Sequence, residues 1–170
     1  MIRTVTSNEI ESGLPDFVEL LRDAVASDAS IGYFPPLDPE VALRFWRSAA
    51  ADVAAGSRIV LAAYVDGELA GSVQLALALR PNSRHRAEVQ KLLVHTGHRG
   101  RGIARRLMSA LEAEALANGR TLLVLDTKKG DVAEQLYEKL GFVRCGEIPA
   151  FVTNSAGGFD TTVVFYKHLQ

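Results

Sequence analysis

The sequence predicts a single α/β domain whose sheet mixes antiparallel and parallel pairs, and three observations carry that reading. Two apolar runs, Ile59 to Val65 and Glu68 to Leu79, meet at Asp66-Gly67, a dipeptide suited to a tight turn between antiparallel strands. A Val- and Leu-rich stretch ending Leu92-Leu93-Val94 leads through a short glycine loop into an amphipathic segment, Ile103 to Leu116, and then into a second apolar stretch, Arg120 to Asp126. Two strands joined by one helix in this way are parallel neighbours with a right-handed crossover. Phe142 to Ile148 and Thr161 to Lys167 form a terminal strand pair around a loop holding Asn154 and Gly157-Gly158.

The remaining elements follow in order. Ile2 to Thr6 alternate weakly and form a first strand, after which Ser7 or Asn8 caps a helix with Glu9 and Glu11 in its first turn. Gly13 and Pro15 interrupt it, so the stronger helix is Asp16 to Ala26, with Phe17, Leu20, Leu21 and Ala24 on one face. Ser27 to Pro36 is loop, and its Tyr33 and Phe34, set beside prolines, either wall a substrate site or pin the loop to the core. Asp38-Pro39-Glu40 combines an N-cap acid with a proline at the first helical position and opens a helix to about Ala55. Val41, Phe45, Trp46 and Ala49 face inward there, and Gly56 ends it. Arg80 to Arg86 is a basic loop, either solvated or attracting an acidic group. Asn118-Gly119 stops the central helix, and a further helix, Asp131 to Leu140, is stopped by Gly141. The order is strand, two helices, three strands, helix, strand, helix, two strands.

Composition bounds the function. The 170 residues suit one domain, 1–170, with a continuous core, and no repeats or linkers divide it. Nineteen basic and twenty acidic residues give a net charge of −1, so no field draws the chain to nucleic acid or to a membrane surface. The N-terminus lacks an apolar signal core, and no run of about 18 apolar residues offers a membrane span. The single Cys145 cannot form an internal disulfide, which suits the cytoplasm; it reads as an inert, partly buried thiol. No His, Cys, Asp or Glu cluster has the spacing of metal ligands, so no metal is expected.

The chemistry concentrates after Val94. Gly100 and Gly102 let the backbone turn tightly and bare successive N–H groups, and the helix N-terminus adds roughly half a positive charge. Such a loop holds an anion, with Arg99 and Arg101 adding full charges. It lacks the Lys and hydroxyl of a nucleoside-triphosphate loop, and Arg105 stands where a dinucleotide loop needs its third glycine. What is present, Arg99-x-x-Gly102-x-Ala104 directly after a strand, resembles the acetyl-CoA loop of the GNAT superfamily of N-acetyltransferases. A second GNAT signature is Ala133-Glu-Gln-Leu-Tyr137-Glu-Lys-Leu-Gly141-Phe142. More narrowly, Arg84 to Val94, Arg120 to Thr127 and the ending Thr161 to Lys167 resemble the tabtoxin-resistance group, which acetylates a small amine-bearing toxin.

The resemblance implies the GNAT fold, an α/β (α+β sandwich-like) arrangement in which a central mixed, mostly antiparallel sheet holds one parallel strand pair and carries helices on both faces. It implies acetyl-CoA as co-substrate, held by Leu92, Leu93, Val94, Arg99, Gly100, Arg101, Gly102, Ile103 and Ala104, with Tyr137 donating a proton toward the departing thiolate. Many members carry Asn seven residues before the Tyr; here that residue is Gly130, so either Asp131 or water takes its place.

Amide formation also needs a base, because a Lys-like amine with a pKa of about 10 arrives protonated. Glu88, on the strand before the loop and expected to be desolvated amid Ala87, Val89 and Leu92, is one candidate. Asp126, ending the neighbouring strand, is the other, and the two would share a water-borne relay. Backbone N–H groups near Leu92 to Val94, left unpaired where the parallel strands separate, would stabilise the carbonyl oxygen. The competing readings are a solvated edge residue for Glu88, a helix cap for Asp126 and core packing for Tyr137. The expected reaction is acetyl transfer from acetyl-CoA to the primary amine of a small molecule, a toxin, antibiotic or amino-acid-like compound. The alternatives are a protein or peptide N-terminal acetyltransferase and a non-catalytic acyl-CoA sensor. The apolar terminal strands leave room for a homodimer.

Overall fold

Seven strands form one sheet in the spatial order β1-β2-β3-β4-β5-β7-β6. They are β1 (Ile2–Val5), β2 (Arg58–Val65), β3 (Glu68–Leu77), β4 (Arg86–Val94), β5 (Leu122–Lys128), β6 (Val143–Thr153) and β7 (Phe159–His168). The computed structural model describes residues 1–170. Only β4 and β5 run parallel, as the single intervening helix requires; every other pair is antiparallel. The β2–β3 turn places Asp66 at φ 51° and Gly67 at φ 87°, the positive angles that an Asp-Gly hairpin turn needs. No helix is long and apolar enough to cross a membrane.

Five α-helices complete the chain: α1 (Ser7–Ser12), α2 (Leu14–Ala26), α3 (Pro39–Ala54), α4 (Ile103–Ala117) and α5 (Val132–Lys139). The N-terminal helices depart from expectation. Thr6, not Ser7 or Asn8, caps α1: its hydroxyl accepts from the Glu9 N–H while the Glu9 side chain accepts from the Thr6 N–H, a reciprocal capping box. Gly13 and Pro15 separate two helices rather than breaking one, because Pro15 falls in the first turn of α2, where its missing N–H costs nothing. In α3, Trp46 and Ala49 are core as expected, but Ala42 and Ala50 take the inward positions while Val41 and Phe45 are half-buried. β3 stops at Leu77, leaving Leu79 exposed, and β5 runs from Leu122 to Lys128, beyond Asp126. Cys145 is exposed rather than partly buried, since it lies on β6, the strand at the sheet edge, none of whose residues is buried.

The two faces of the sheet build two cores. α1, α2 and α3 cover β1 to β3 around Trp46, Phe17, Leu20 and Leu21, with the Phe17 and Trp46 ring centroids 4.6 Å apart. On the other face, Leu107, Met108 and Leu111 of α4 pack with Leu75, Leu123 and Phe165. β4 changes allegiance between them. Ala87 and Val89 belong to the α4 core, yet Leu93, an even number of residues on, belongs to the α1–α3 core. A regular strand would keep all three on one face. Between Gln90 and Leu93, β4 has two residues opposite one on β3, so a bulge at Lys91 (φ 50°) inverts the alternation.

β3 approaches this bulge closely. A Cβ placed on Gly71 would lie 2.6 Å from the Leu93 carbonyl oxygen and 3.3 Å from Leu107 Cδ1. The first contact is with backbone and cannot be relieved by a side-chain rotation. Gly71→Ala is therefore expected to destabilise the fold by about 1–3 kcal/mol, seen as a lower urea midpoint at unchanged slope; an unchanged midpoint contradicts this packing.

Candidate active site

The parallel ladder between β4 and β5 is short: Arg86↔Leu122, Ala87↔Leu123 and Glu88↔Val124. Beyond Glu88 the bulge turns β4 away, and no ladder pair joins the two strands. The wedge so opened is a cavity of about 730 Å³, walled by β4 residues 88–94, by β5 residues 126–128, by the start of α5 and by the loop after α2.

The glycine loop runs between Arg99 and Ala104, both of which line the cavity. Gly100 and Gly102 have φ 76° and 71°, and a Cβ on either would meet nothing within 4 Å, so the backbone there is open to close approach. Gly102 caps α4 without a side-chain hydrogen bond, leaving the first N–H groups of α4 without a side-chain partner. Arg101 is exposed. Arg99 is committed to the scaffold, its Nε donating to the Val94 carbonyl (3.2 Å) and Nη2 to Ser27 Oγ (2.7 Å). Asp23 of α2 adds a second tie, accepting from the Thr96 N–H and Oγ1 (2.8 and 2.6 Å). Ile103 is buried in the α4 core, so only its backbone faces a ligand. Leu92, Leu93, Val94 and Ala104 line the cavity.

Glu88 and Asp126 share the cavity. Their strands align Glu88 with Val124, so Asp126 sits one strand across and two residues along on the same face, about 8 Å away between Cα atoms. Glu88 is exposed, not desolvated as its apolar neighbours suggested, because Ala87 and Val89 point into the α4 core while Glu88 points away from it. Each carboxylate has one oxygen held by the protein and one without a protein partner. Gln90 Nε2 donates to Glu88 Oε1 (2.9 Å), and Thr162 Oγ1 donates to Asp126 Oδ2 (2.7 Å). Gln90 is itself held: Arg58 Nη1 donates to Gln90 Oε1 (2.9 Å) and to the buried Gln74 Oε1 (2.6 Å), and Arg58 Nε donates to Asp52 (3.0 Å). Asp126 lies within β5 and caps nothing. The cap of α5 is Asp131, whose carboxylate accepts from the Ala133 N–H (3.0 Å).

Tyr137 packs on Phe142 and Phe165 with centroids 5.7 and 6.1 Å apart and also lines the cavity; its hydroxyl makes no hydrogen bond within the protein. Burial first, then the charges of Asp131 and Asp126, push its pKa up to about 12. It is thus a neutral donor throughout the ordinary pH range. Packing and donation coexist in one residue. Tyr33 and Phe34 divide between the two roles open to them. Tyr33 stacks edge-on against Phe45 (6.2 Å), whereas Phe34 is exposed, and both line a second cavity of about 550 Å³ that shares Asp28, Lys128 and Phe151 with the first.

Several groups escaped the sequence reading. Lys91 reaches into the cavity from the bulge and donates to the Ile31 carbonyl (2.8 Å). A lone cation between Gln90 and an apolar run was its only signal. Gln90 and Arg58 carried none, and Thr162 meets Asp126 only through the β5–β7 register.

Comparison with known proteins places these features in context. The model of the acetyltransferase (GNAT) family matches residues 19–142. An uncharacterized N-acetyltransferase in the hisH–hisA intergenic region of Azospirillum brasilense is 33% identical over 118 residues, 68% of each chain. The ribosomal-protein-alanine N-acetyltransferase from Brucella melitensis superposes with a TM-score of 0.80 at 25% identity, covering 99% of both chains. The protein yncA from Salmonella typhimurium, solved with its cofactor acetyl-CoA, gives 0.79 at 22% identity over 100% of this chain and 94% of that one.

The raised pKa of Tyr137 sets a pH dependence. A phenol whose folded pKa exceeds its unfolded value of 10.0 stabilises the fold fully below pH 10 and loses that contribution as pH rises toward about 12. Urea denaturation at successive pH values should show stability falling across that window, and falling less steeply in Tyr137→Phe, which has no proton to lose. Equal slopes in the two proteins contradict the assignment.

Proposed function

The chain belongs to the GNAT family of acetyltransferases, and on that premise we propose that it moves the acetyl group of acetyl-CoA to the primary amine of a small molecule by direct attack, without a covalent enzyme intermediate. One observation carries the proposal: Glu88, Asp126 and Tyr137 border a single cavity opened where β4 parts from β5. The residues present fit acetyl-CoA. The open backbone at Gly100 and Gly102 and the α4 N-terminus would hold its pyrophosphate, with Arg101 beside them, and residues 92–94 and Ala104 would line its path. When bound, acetyl-CoA supplies the acetyl thioester: a C–N bond forms as the C–S bond breaks, one proton of the acceptor ammonium leaves for solvent, and a second ends on the sulfur.

The chain's own residues manage the protons. The free oxygens of Glu88 and Asp126, each steadied by one donor to its partner oxygen, receive the ammonium proton through water. Tyr137 donates a hydrogen bond toward the departing sulfur; with its pKa near 12 it polarises the leaving group rather than surrendering its own proton. Asp131 is occupied as the α5 cap and is a weaker candidate for coenzyme contact than the loop.

A second reading, acetylation of a peptide N-terminus, is favoured by the likeness to the Brucella melitensis enzyme and by the wall that the two cavities share at Asp28, Lys128 and Phe151. A homodimer would form at the unpaired edge of β6, where Val143, Ile148 and Phe151 are exposed. The lone, exposed thiol of Cys145 suits a cytoplasmic location.

Thiol release from acetyl-CoA across small amines, amino acids and N-terminal peptides tests these readings. A small amine should turn over, and Glu88→Gln, Asp126→Asn or Tyr137→Phe should each lower kcat about a hundredfold while coenzyme binding holds. Turnover of peptides alone selects the second reading; coenzyme binding with no acceptor at all leaves only an acyl-CoA sensor.

A further inference from the structure

Three of the charges lining the main cavity are held by the protein, though only one of them is ion-paired. Lys128 pairs with Asp160 (3.1 Å), Asp131 caps α5, and Arg99 spans the Val94 carbonyl and Ser27. Behind the wall, Arg58 is paired with Asp52 (3.0 Å). Four charges remain on the lining: the exposed carboxylates of Asp28, Glu88 and Asp126, and the half-buried ammonium of Lys91.

Lys91 is unusual among them. It sits at the bulge, with φ 50°, and lines the cavity, where its ammonium donates to one neutral carbonyl, that of Ile31. An ammonium has three donors, and a carbonyl compensates a hydrogen bond but not a charge. No carboxylate lies within ion-pair distance of it, although Glu88 and Asp126 open onto the same cavity. Burial and the nearby positive charge of Arg58 lower its pKa, the mark of a cation short of a counter-charge; Asp126 and Glu88 offset this only in part. A neutral donor would serve equally well to tie the loop. The charge calls for an anion.

We propose that Lys91 binds an anionic group of the acceptor, so that the substrate is an amine that also carries a carboxylate or similar oxyanion, as amino acids do. Such a molecule complements the cavity twice. Its ammonium faces Glu88 and Asp126, and its carboxylate receives the free N–H donors of Lys91 in a charge-assisted hydrogen bond. This rests on the small-molecule reading above and names its substrate class.

The test pairs each amino acid with its carboxamide, which keeps the amine and removes the charge. The wild-type protein should favour the acid in kcat/KM. Lys91→Met should lose about tenfold or more for the acid, through KM, with little change for the amide, and Lys91→Arg should recover part of the loss. Equal use of acid and amide by the wild type, or an equal loss for both in Lys91→Met, overturns the proposal and leaves Lys91 a tie for the loop. Calorimetric binding of the acid in the presence of coenzyme A, in wild type and Lys91→Met, reads the same contact without turnover. If catalysis fails yet this binding depends on Lys91, the proposal stands and the base assignment falls. If the acid binds neither protein, the proposal falls as well.

Discussion

A single extra residue in β4 governs the geometry of this enzyme. The parity of a strand is binary, so the bulge at Lys91 turns a strand that packs Ala87 and Val89 under α4 into one that packs Leu93 under α2 and α3. The same bend carries β4 away from β5 after three ladder pairs. A pair of parallel strands buried on both faces would ordinarily continue in register and leave no room between them. Here the core on each face is satisfied only if the strand switches sides, and the wedge follows from that requirement. Gly71 is the counterpart on β3, admitting the displaced Leu93 carbonyl where a side chain could not fit.

The wedge would be of little chemical use if its carboxylates were free to wander. Beneath them lies a chain of hydrogen bonds from Asp52 through Arg58 and Gln90 to Glu88. Arg58 suits this position because its planar fork reaches Asp52 from Nε and Gln74 and Gln90 from Nη1, spreading its donors over separate nitrogens as an ammonium does not. Asp126 is steadied from the opposite side by Thr162, itself anchored on the Thr127 carbonyl (3.0 Å). Two acids on adjacent strands are thus set by donors from opposite directions, each with its remaining oxygen unpartnered in the protein.

Much of this was legible in the sequence wherever a local rule decides the outcome. Asp66-Gly67 demands a hairpin, Asp38-Pro39 starts a helix, and Gly100 and Gly102 open the loop before α4 because few other residues tolerate those angles. Features set by tertiary pairing were not legible. The bulge has no proline or glycine to announce it, so Lys91 passed as an ordinary strand residue. Without the bulge the alternation of β4 could not be followed to its end. Glu88 was expected to be desolvated because its neighbours in sequence are apolar, whereas alternation sends those neighbours to the opposite face. Cys145 looked half-buried in an apolar strand, and only the sheet order reveals that this strand is an edge.

Two long side chains, one from the β4 bulge and one from the loop after β4, reach across to the loop after α2: Arg99 grips Ser27 and Lys91 grips Ile31. They act as rivets at either end of Asp28-Ala29-Ser30, a short span that borders both cavities. Residues between two rivets can be exchanged while the anchors, the bulge and the glycine loop stay as they are. The span can thus vary without disturbing the residues that hold it at each end. A combinatorial library confined to three positions would reshape the border of both cavities on an intact frame.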